Sequence, residues 1–177
     1  GKTGHKLETA EYNVLQEQRR SSHWAASLLF CREVVCMCGI AGFCDFQENF
    51  LYEEDKWRHV LVEMREAIAH RGPDQTGEYL RETVGFSHAR LSIRDLSGGA
   101  QPLLRRAKGA EYGIVYNGEV YNTRELTAAL IQRGYRFETT SDTEVVLYAY
   151  MEYGTEFVTM LNGIFAFAIW DGDRQTL

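Results

Sequence analysis

A thiol opens the small-residue stretch Cys38-Gly39-Ile40-Ala41-Gly42-Phe43. Gly39, Ala41 and Gly42 leave room for a second backbone or a ligand, while Ile40 and Phe43 can anchor a strand. If the Met37–Cys38 bond is cut, the thiol lies beside its own α-amine. An α-amine has an ordinary pKa of about 7.7–8.0 and can take a proton near neutrality. One residue then supplies both nucleophile and general base. As written, Cys38 is internal, its nitrogen is an amide, and that base is missing. Taken alone, the stretch also fits a buried apolar strand with an inert cysteine, the commoner use of a free thiol.

Cys31, Cys36, Cys38 and Cys44 crowd together without a C-x-x-C pair. Neighbours along one strand cannot readily bridge, and zinc-ligand spacing is missing, so neither a disulfide framework nor a metal site is expected. Free thiols in a reducing cytosol fit best, which gives a cytoplasmic expectation. His70 and His88 invite a Cys–His pairing, but an α-amine base makes both unnecessary. The formal net charge of −6 argues against a nucleic-acid surface. No apolar run reaches the length of a membrane span.

Residues 1–37 read differently from the rest. The segment is polar through Arg20 and then runs Trp24-Ala25-Ala26-Ser27-Leu28-Leu29-Phe30. That run is short for a secretory signal, and Phe30 is bulky where processing wants a small residue. A leader, a propeptide or translated sequence upstream of a start at Met37 is expected instead.

The elements that must position these groups follow in order. Cys38–Asp45 reads as a strand. Trp57, Val60, Leu61, Met64 and Ile68 recur at helical spacing, giving an amphipathic helix over about Glu53–Ala69. His70-Arg71-Gly72-Pro73-Asp74 and Gly98-Gly99-Ala100-Gln101-Pro102 are loops. Val84–Ala89 and Leu91–Ile93 are strand pieces with Arg90 between them, and Tyr112–Tyr116 is a strand ending at Asn117-Gly118. Asn122 and Glu125 suggest a capping box opening a helix to Arg133, closed by Gly134. Tyr135–Thr139 reads as a short strand. Ser141-Asp142-Thr143-Glu144 is a second capping box, opening a helix through Tyr153. Gly163–Trp170 is an apolar strand, and Asp171-Gly172-Asp173 turns the chain back. Strands and helices mix without βαβ alternation, which predicts an α+β layered fold with antiparallel sheet.

Six motifs then stand in one order: Cys38–Gly42, His70–Asp74, Ser87–Ile93, Asn117–Asn122, Ser141–Glu144 and Leu161–Ala168. Together they resemble the N-terminal glutaminase domain of glutamine-hydrolysing asparagine synthetase, a class II (N-terminal nucleophile) glutamine amidotransferase. The resemblance covers residues 38–177. It implies a four-layer αββα sandwich of two facing antiparallel sheets. It also implies that the chain is incomplete at its C-terminus, because family members continue into an ATP-dependent synthetase domain.

The resemblance makes Cys38 the nucleophile that attacks the glutamine side-chain amide, through a glutamyl thioester that water resolves. Asn117 and Gly118 would meet the oxyanion with a side-chain NH₂ and a backbone N–H. Arg90 would bind the glutamine α-carboxylate as a bidentate partner. Asp142, helped by Glu119, would hold the α-ammonium, and backbone near Leu91 and Ile93 would line the pocket. No cofactor is implied for this half; ATP and Mg²⁺ belong to the synthetase domain. Glutamine and that domain are the expected partners, and a homodimer is left open. Residues 1–37 are expected to block activity until Cys38 is N-terminal. Sister amidotransferases (glucosamine-6-phosphate synthase, amidophosphoribosyltransferase, a tailoring enzyme) and an inactive interaction module of the same fold are the competing readings. A metal-binding protein built on the cysteines is a more distant one.

Overall fold

The computed structural model describes residues 38–91, 99–107 and 109–177. The expected leader, Ile93 and Gly98 lie outside the described residues. The elements run β1 (Gly39–Cys44), α1 (Glu54–Ile68), β2 (Gln75–Leu80), β3 (Val84–Arg90), β4 (Leu103–Ala107), β5 (Ala110–Val120), α2 (Thr123–Gln132), α3 (Asp142–Tyr153) and β6 (Gly163–Asp171). Two antiparallel sheets form, ordered β1-β3-β2 and β4-β5-β6.

Strand alternation sorts the side chains into layers. Ala41, Phe43 and Ala89 face outward from the first sheet and pack on Trp57, Leu61 and Ile68 of α1. Ser87 Oγ donates to the Leu61 carbonyl at 2.7 Å on this same face. Leu61 is fully buried, so its truncation to Ala would cost about 2–5 kcal/mol. Val84 and Phe86 point the other way and meet Val115 and Trp170 from the second sheet. On the far side, Ile114, Tyr116 and Ile169 pack under Val146, Leu147 and Ala149 of α3. The result is the expected α+β, αββα arrangement of four layers.

Several local expectations are corrected. β2 and β4 are strands that the sequence pattern hid, because each lies at a sheet edge and reads as Gln-Thr-Gly-Glu-Tyr-Leu or Leu-Leu-Arg-Arg-Ala. β5 does not stop at Asn117-Gly118 but runs to Val120, since β6 pairs along its whole length as far as Val120↔Gly163. Tyr135–Thr139 is not a strand. The backbone N–H groups of Glu138 and Thr139 are taken by the Glu144 carboxylate at 3.2 and 2.7 Å. Asn122 stands at the start of α2 without capping it; its side chain bridges to Met160 and Asn162 instead. Ser141 does cap α3, accepting from the Thr143 N–H at 3.1 Å.

Candidate active site

The site lies between the two sheets, where β1 begins, β3 ends and β5 runs on beyond the start of β4. Register places Gly39 opposite Ala89, so Cys38 and Arg90 stand at the same open end of the first sheet. Their parity matches Ile40 and Phe86, the residues that face the second sheet. Asn117 has the parity of Val115 and faces back. These side chains border a cleft of about 700 Å³.

Cys38 is half-buried, with the Leu91 N–H directed at Sγ (3.4 Å) and Sγ itself 3.8 Å from the Leu91 carbonyl. The Arg71 Nε donates to the Cys38 carbonyl at 3.3 Å. Gly72, the next residue, lies so close to β3 that an added Cβ would fall 2.3 Å from the Ala89 carbonyl. The His70–Asp74 motif therefore packs on the Cys38 end of β1 and on the end of β3.

Arg90 is buried and donates from Nη1 to Gln75 Oε1 at 2.9 Å. Gly99 packs on the guanidinium so tightly that a Cβ there would lie 2.4 Å from Nη2. A planar fork fixed this way can present two parallel N–H groups to a carboxylate.

The backbone of β5 explains Asn117-Gly118. Tyr121 N–H donates to the Asn162 carbonyl and Gly172 N–H to the Glu111 carbonyl, so odd-numbered residues direct their backbone groups toward β6. Even-numbered residues point the opposite way, where Ile114 meets Leu103, the first residue of β4. Among the described residues, no strand beyond Leu103 answers them. Tyr116 N–H goes to Gln101 Oε1 at 2.6 Å, and Val120 N–H goes to Asp142 Oδ2 at 3.3 Å. Gly118 lies between them, so its N–H is directed into the cleft it lines. Only glycine fits here, because a Cβ would sit 2.4 Å from the Ile164 carbonyl. An amide N–H with no strand partner, beside an Asn side chain, is what a tetrahedral oxyanion requires.

Asp142 opens α3 and also accepts from the Tyr116 hydroxyl at 2.9 Å. Burial pushes its carboxyl above the usual range, donation from Tyr116 and Val120 partly opposes this, and the charge of Glu119 adds to the rise. Glu119 borders the same cleft. The cleft thus has a cationic pole at Arg90, an anionic pole at Asp142 and Glu119, and a thiol with oxyanion donors. That set can bind a zwitterionic amino acid by its head group and attack an amide on its side chain.

Of the eight predicted residues, Cys38, Arg90, Leu91, Asn117, Gly118, Glu119 and Asp142 border this one cleft, and Ile93 lies outside the described residues. His88 sits below it, 1% exposed, and burial holds its pKa down to about 4. A ring so hard to protonate suits its exclusion from acid–base work. Sequence reasoning missed Gln75, Gly99, Gln101, Tyr116 and Thr143. Gly99 and Gln101 stood in the Gly-Gly-Ala-Gln-Pro stretch, which read as a plain loop, and Tyr116 and Thr143 read only as members of a strand and a capping box. Among the described residues, Cys38 and Cys44 are free thiols, and no group of three His, Cys, Asp or Glu is placed to hold a metal ion.

Residues 37–177 match the glutamine amidotransferase domain family. The chain belongs to that family. It is 44% identical over 141 residues to asparagine synthetase [glutamine-hydrolyzing] 3 of Bacillus subtilis, covering 80% of this chain and 22% of that protein. Asparagine synthetase B [glutamine-hydrolyzing] of Escherichia coli K12 is 39% identical over 139 residues, 78% of this chain and 24% of that protein. A solved glutamine phosphoribosylpyrophosphate amidotransferase from B. subtilis aligns with TM-score 0.45 and 26% identity, over 52% of this chain and 22% of that one. This chain therefore spans less than a quarter of the length of the synthetases it matches.

Proposed function

We propose that this chain is the glutaminase half of a glutamine-dependent asparagine synthetase, with Cys38 as its nucleophile. The Cys38 thiol gives its proton to its own freed α-amine, and sulfur attacks the side-chain amide carbon of glutamine. The oxyanion is held by the Asn117 NH₂ and the Gly118 N–H. Collapse breaks the C–N bond, and the α-ammonium returns the proton to the departing ammonia. Water then adds to the glutamyl thioester with the amine again as base, releasing glutamate and regenerating the thiol. Arg90 binds the α-carboxylate, and Asp142 with Glu119 binds the α-ammonium. Backbone near Leu91 and Ile93 closes the pocket. The observation that carries this reading is one cleft bordered by the thiol, the strand-free Gly118 amide and two opposite charged poles.

The names of its relatives support asparagine as the product of the whole protein, with the ammonia passed to a C-terminal synthetase domain. ATP and Mg²⁺ would serve that domain. Among the described residues no helix is long and apolar enough to cross a membrane; the cytoplasmic setting proposed here rests on the free thiols. Residues 1–37 would be removed, or never translated, so that Cys38 becomes N-terminal.

The test is the N-terminal residue and glutamine hydrolysis of the full-length protein made from its own gene. An N-terminus at Cys38, with ammonia release abolished by Cys38→Ala, is expected. An N-terminus ahead of Cys38 in a protein that releases no ammonia would make this an inactive interaction module. Hydrolysis that survives Cys38→Ala would remove the thioester mechanism.

A further inference from the structure

In the loop Gly99–Pro102, Gly99 packs on Arg90, but Gln101 serves neither the nucleophile nor the charged poles directly, and its side chain borders the same cleft. Gln101 Oε1 accepts from the Tyr116 N–H at 2.6 Å, and its Nε2 donates to Thr143 Oγ1 at 3.4 Å. Thr143 follows Asp142, whose Oδ2 accepts from the Tyr116 hydroxyl at 2.9 Å. A closed ring results, running from Tyr116 backbone to Gln101, to Thr143, to Asp142 and back to the Tyr116 side chain. Gln101 is brought into it by Gly77 of β2, over which the loop passes. A Cβ at Gly77 would fall 1.9 Å from the Gln101 carbonyl oxygen, so only a glycine permits the approach. Thr143 is buried, at 3% exposure, so its hydroxyl is a fixed partner rather than a solvated one.

We propose that Gln101 is a positioning residue that couples the oxyanion donors to the ammonium-binding helix: its amide stands where the next residue of β4 would stand and ties Tyr116, immediately before Asn117-Gly118, to the first turn of α3. The inference rests on the functional reading above. An amide suits the task because it accepts from a strand N–H and donates to a hydroxyl at once. Asn117 and Gly118 are held at their height above the thiol by this substitute rung. A displacement of such donors by a fraction of an ångström to 1 Å is enough to slow acyl transfer by roughly 10–100-fold.

The test compares Gln101→Met, Gln101→Glu and Thr143→Val in the full-length protein with Cys38 at its N-terminus. Gln101→Met removes both bonds and is expected to lower kcat for glutamine hydrolysis roughly 10–100-fold, with the protein still folded. Gln101→Glu keeps the acceptor for Tyr116 and loses the donor to Thr143. It should recover kcat to within about threefold of the parent while KM for glutamine stays raised. Thr143→Val should likewise raise KM and spare kcat. A Gln101→Met protein with kcat within twofold of the parent overturns the proposal. So does a Gln101→Glu protein no faster than Gln101→Met, because loop packing alone would then explain the loss. If the parent itself hydrolyses no glutamine, the functional reading has failed, and the coupling is read from the amide resonance of Gly118. A shift in Gln101→Met that Gln101→Glu largely reverses upholds the coupling; equal shifts in both, or none, overturn it.

Discussion

Two carboxylates two residues apart on the first turn of α3 have opposite fates. Glu144 is fully buried and receives five donors: Arg105 Nε and Nη2, the backbone of Glu138 and Thr139, and the Thr139 hydroxyl. Its lone pairs are filled, and although burial raises its pKa, donation from Thr139 and Arg105 more than offsets this, leaving it below the usual range. Asp142 receives the Tyr116 hydroxyl and the Val120 N–H, both on Oδ2. A carboxylate has about four lone-pair directions, so Asp142 keeps acceptor capacity toward the cleft, and burial holds its pKa up. A saturated carboxylate with a lowered pKa is scaffold. One with spare lone pairs and a second anion nearby fits the seat for an incoming cation that the proposed function assigns to Asp142.

Removing each in turn should separate the two kinds of cost. Glu144→Ala leaves the Arg105 guanidinium, whose side chain is 13% exposed, with only Glu138 at 3.4 Å to balance it. Breaking a buried pair from one side costs about 3–5 kcal/mol, and urea unfolding should show that loss. Asp142→Asn keeps an oxygen for Tyr116 and should change stability by less than about 1 kcal/mol. It should instead raise KM for glutamine roughly 10–100-fold, the loss of a charged hydrogen-bond partner worth about 1.5–3 kcal/mol. If Asp142→Asn unfolds the protein and Glu144→Ala spares it, the assignment of scaffold and seat is reversed.

pH gives the contrast a sign. Glu144, with its folded pKa lowered, contributes stability above its unfolded value of about 4.3, and that stability is lost as pH falls through the folded pKa. Asp142, with its folded pKa raised, is stabilising only in its protonated form. That contribution is complete below about 3.9 and is lost as pH rises through the folded pKa. The stability deficit of Glu144→Gln should therefore shrink between pH 7 and pH 3.5. Asp142→Asn should compare best with the parent at pH 7 and lose that advantage in acid. Urea titrations at both pH values decide the matter, and parallel trends would contradict the opposite shifts.

The same pair marks what the sequence could say. Ser-Asp-Thr-Glu read as a capping box, and Ser141 does cap, but Glu144 reaches 39 residues away in sequence to Arg105. A partner that distant, on an edge strand the pattern had hidden, leaves no local trace. Alternation and helical spacing were legible wherever one face is apolar, as in β1, α1 and β6. The site was legible as residue types because the motifs stand in a known order. Why Gly118 N–H lacks a strand partner was not, since it depends on where β4 starts and on Gln101 filling the place beyond it. Such features arise from sheet ends meeting, which no window of sequence contains.

The smallest effect gives the finest division. Tyr116→Phe removes only the hydroxyl that donates to Asp142 and leaves the backbone N–H on Gln101. Losing one hydrogen bond at a site open to water costs about 1 kcal/mol, or roughly fivefold in KM for glutamine. That bond lowers the Asp142 pKa, so without it the carboxyl titrates higher still, and the acid limb of the kcat/KM profile should move to higher pH. kcat at saturating glutamine should stay within about twofold of the parent, because the rung that seats Asn117 and Gly118 is intact. That outcome would give Tyr116 two separable functions, a side chain serving the proposed ammonium seat and a backbone serving the proposed oxyanion donors. If kcat falls as far in Tyr116→Phe as in Gln101→Met, the two functions are one and the division between them fails.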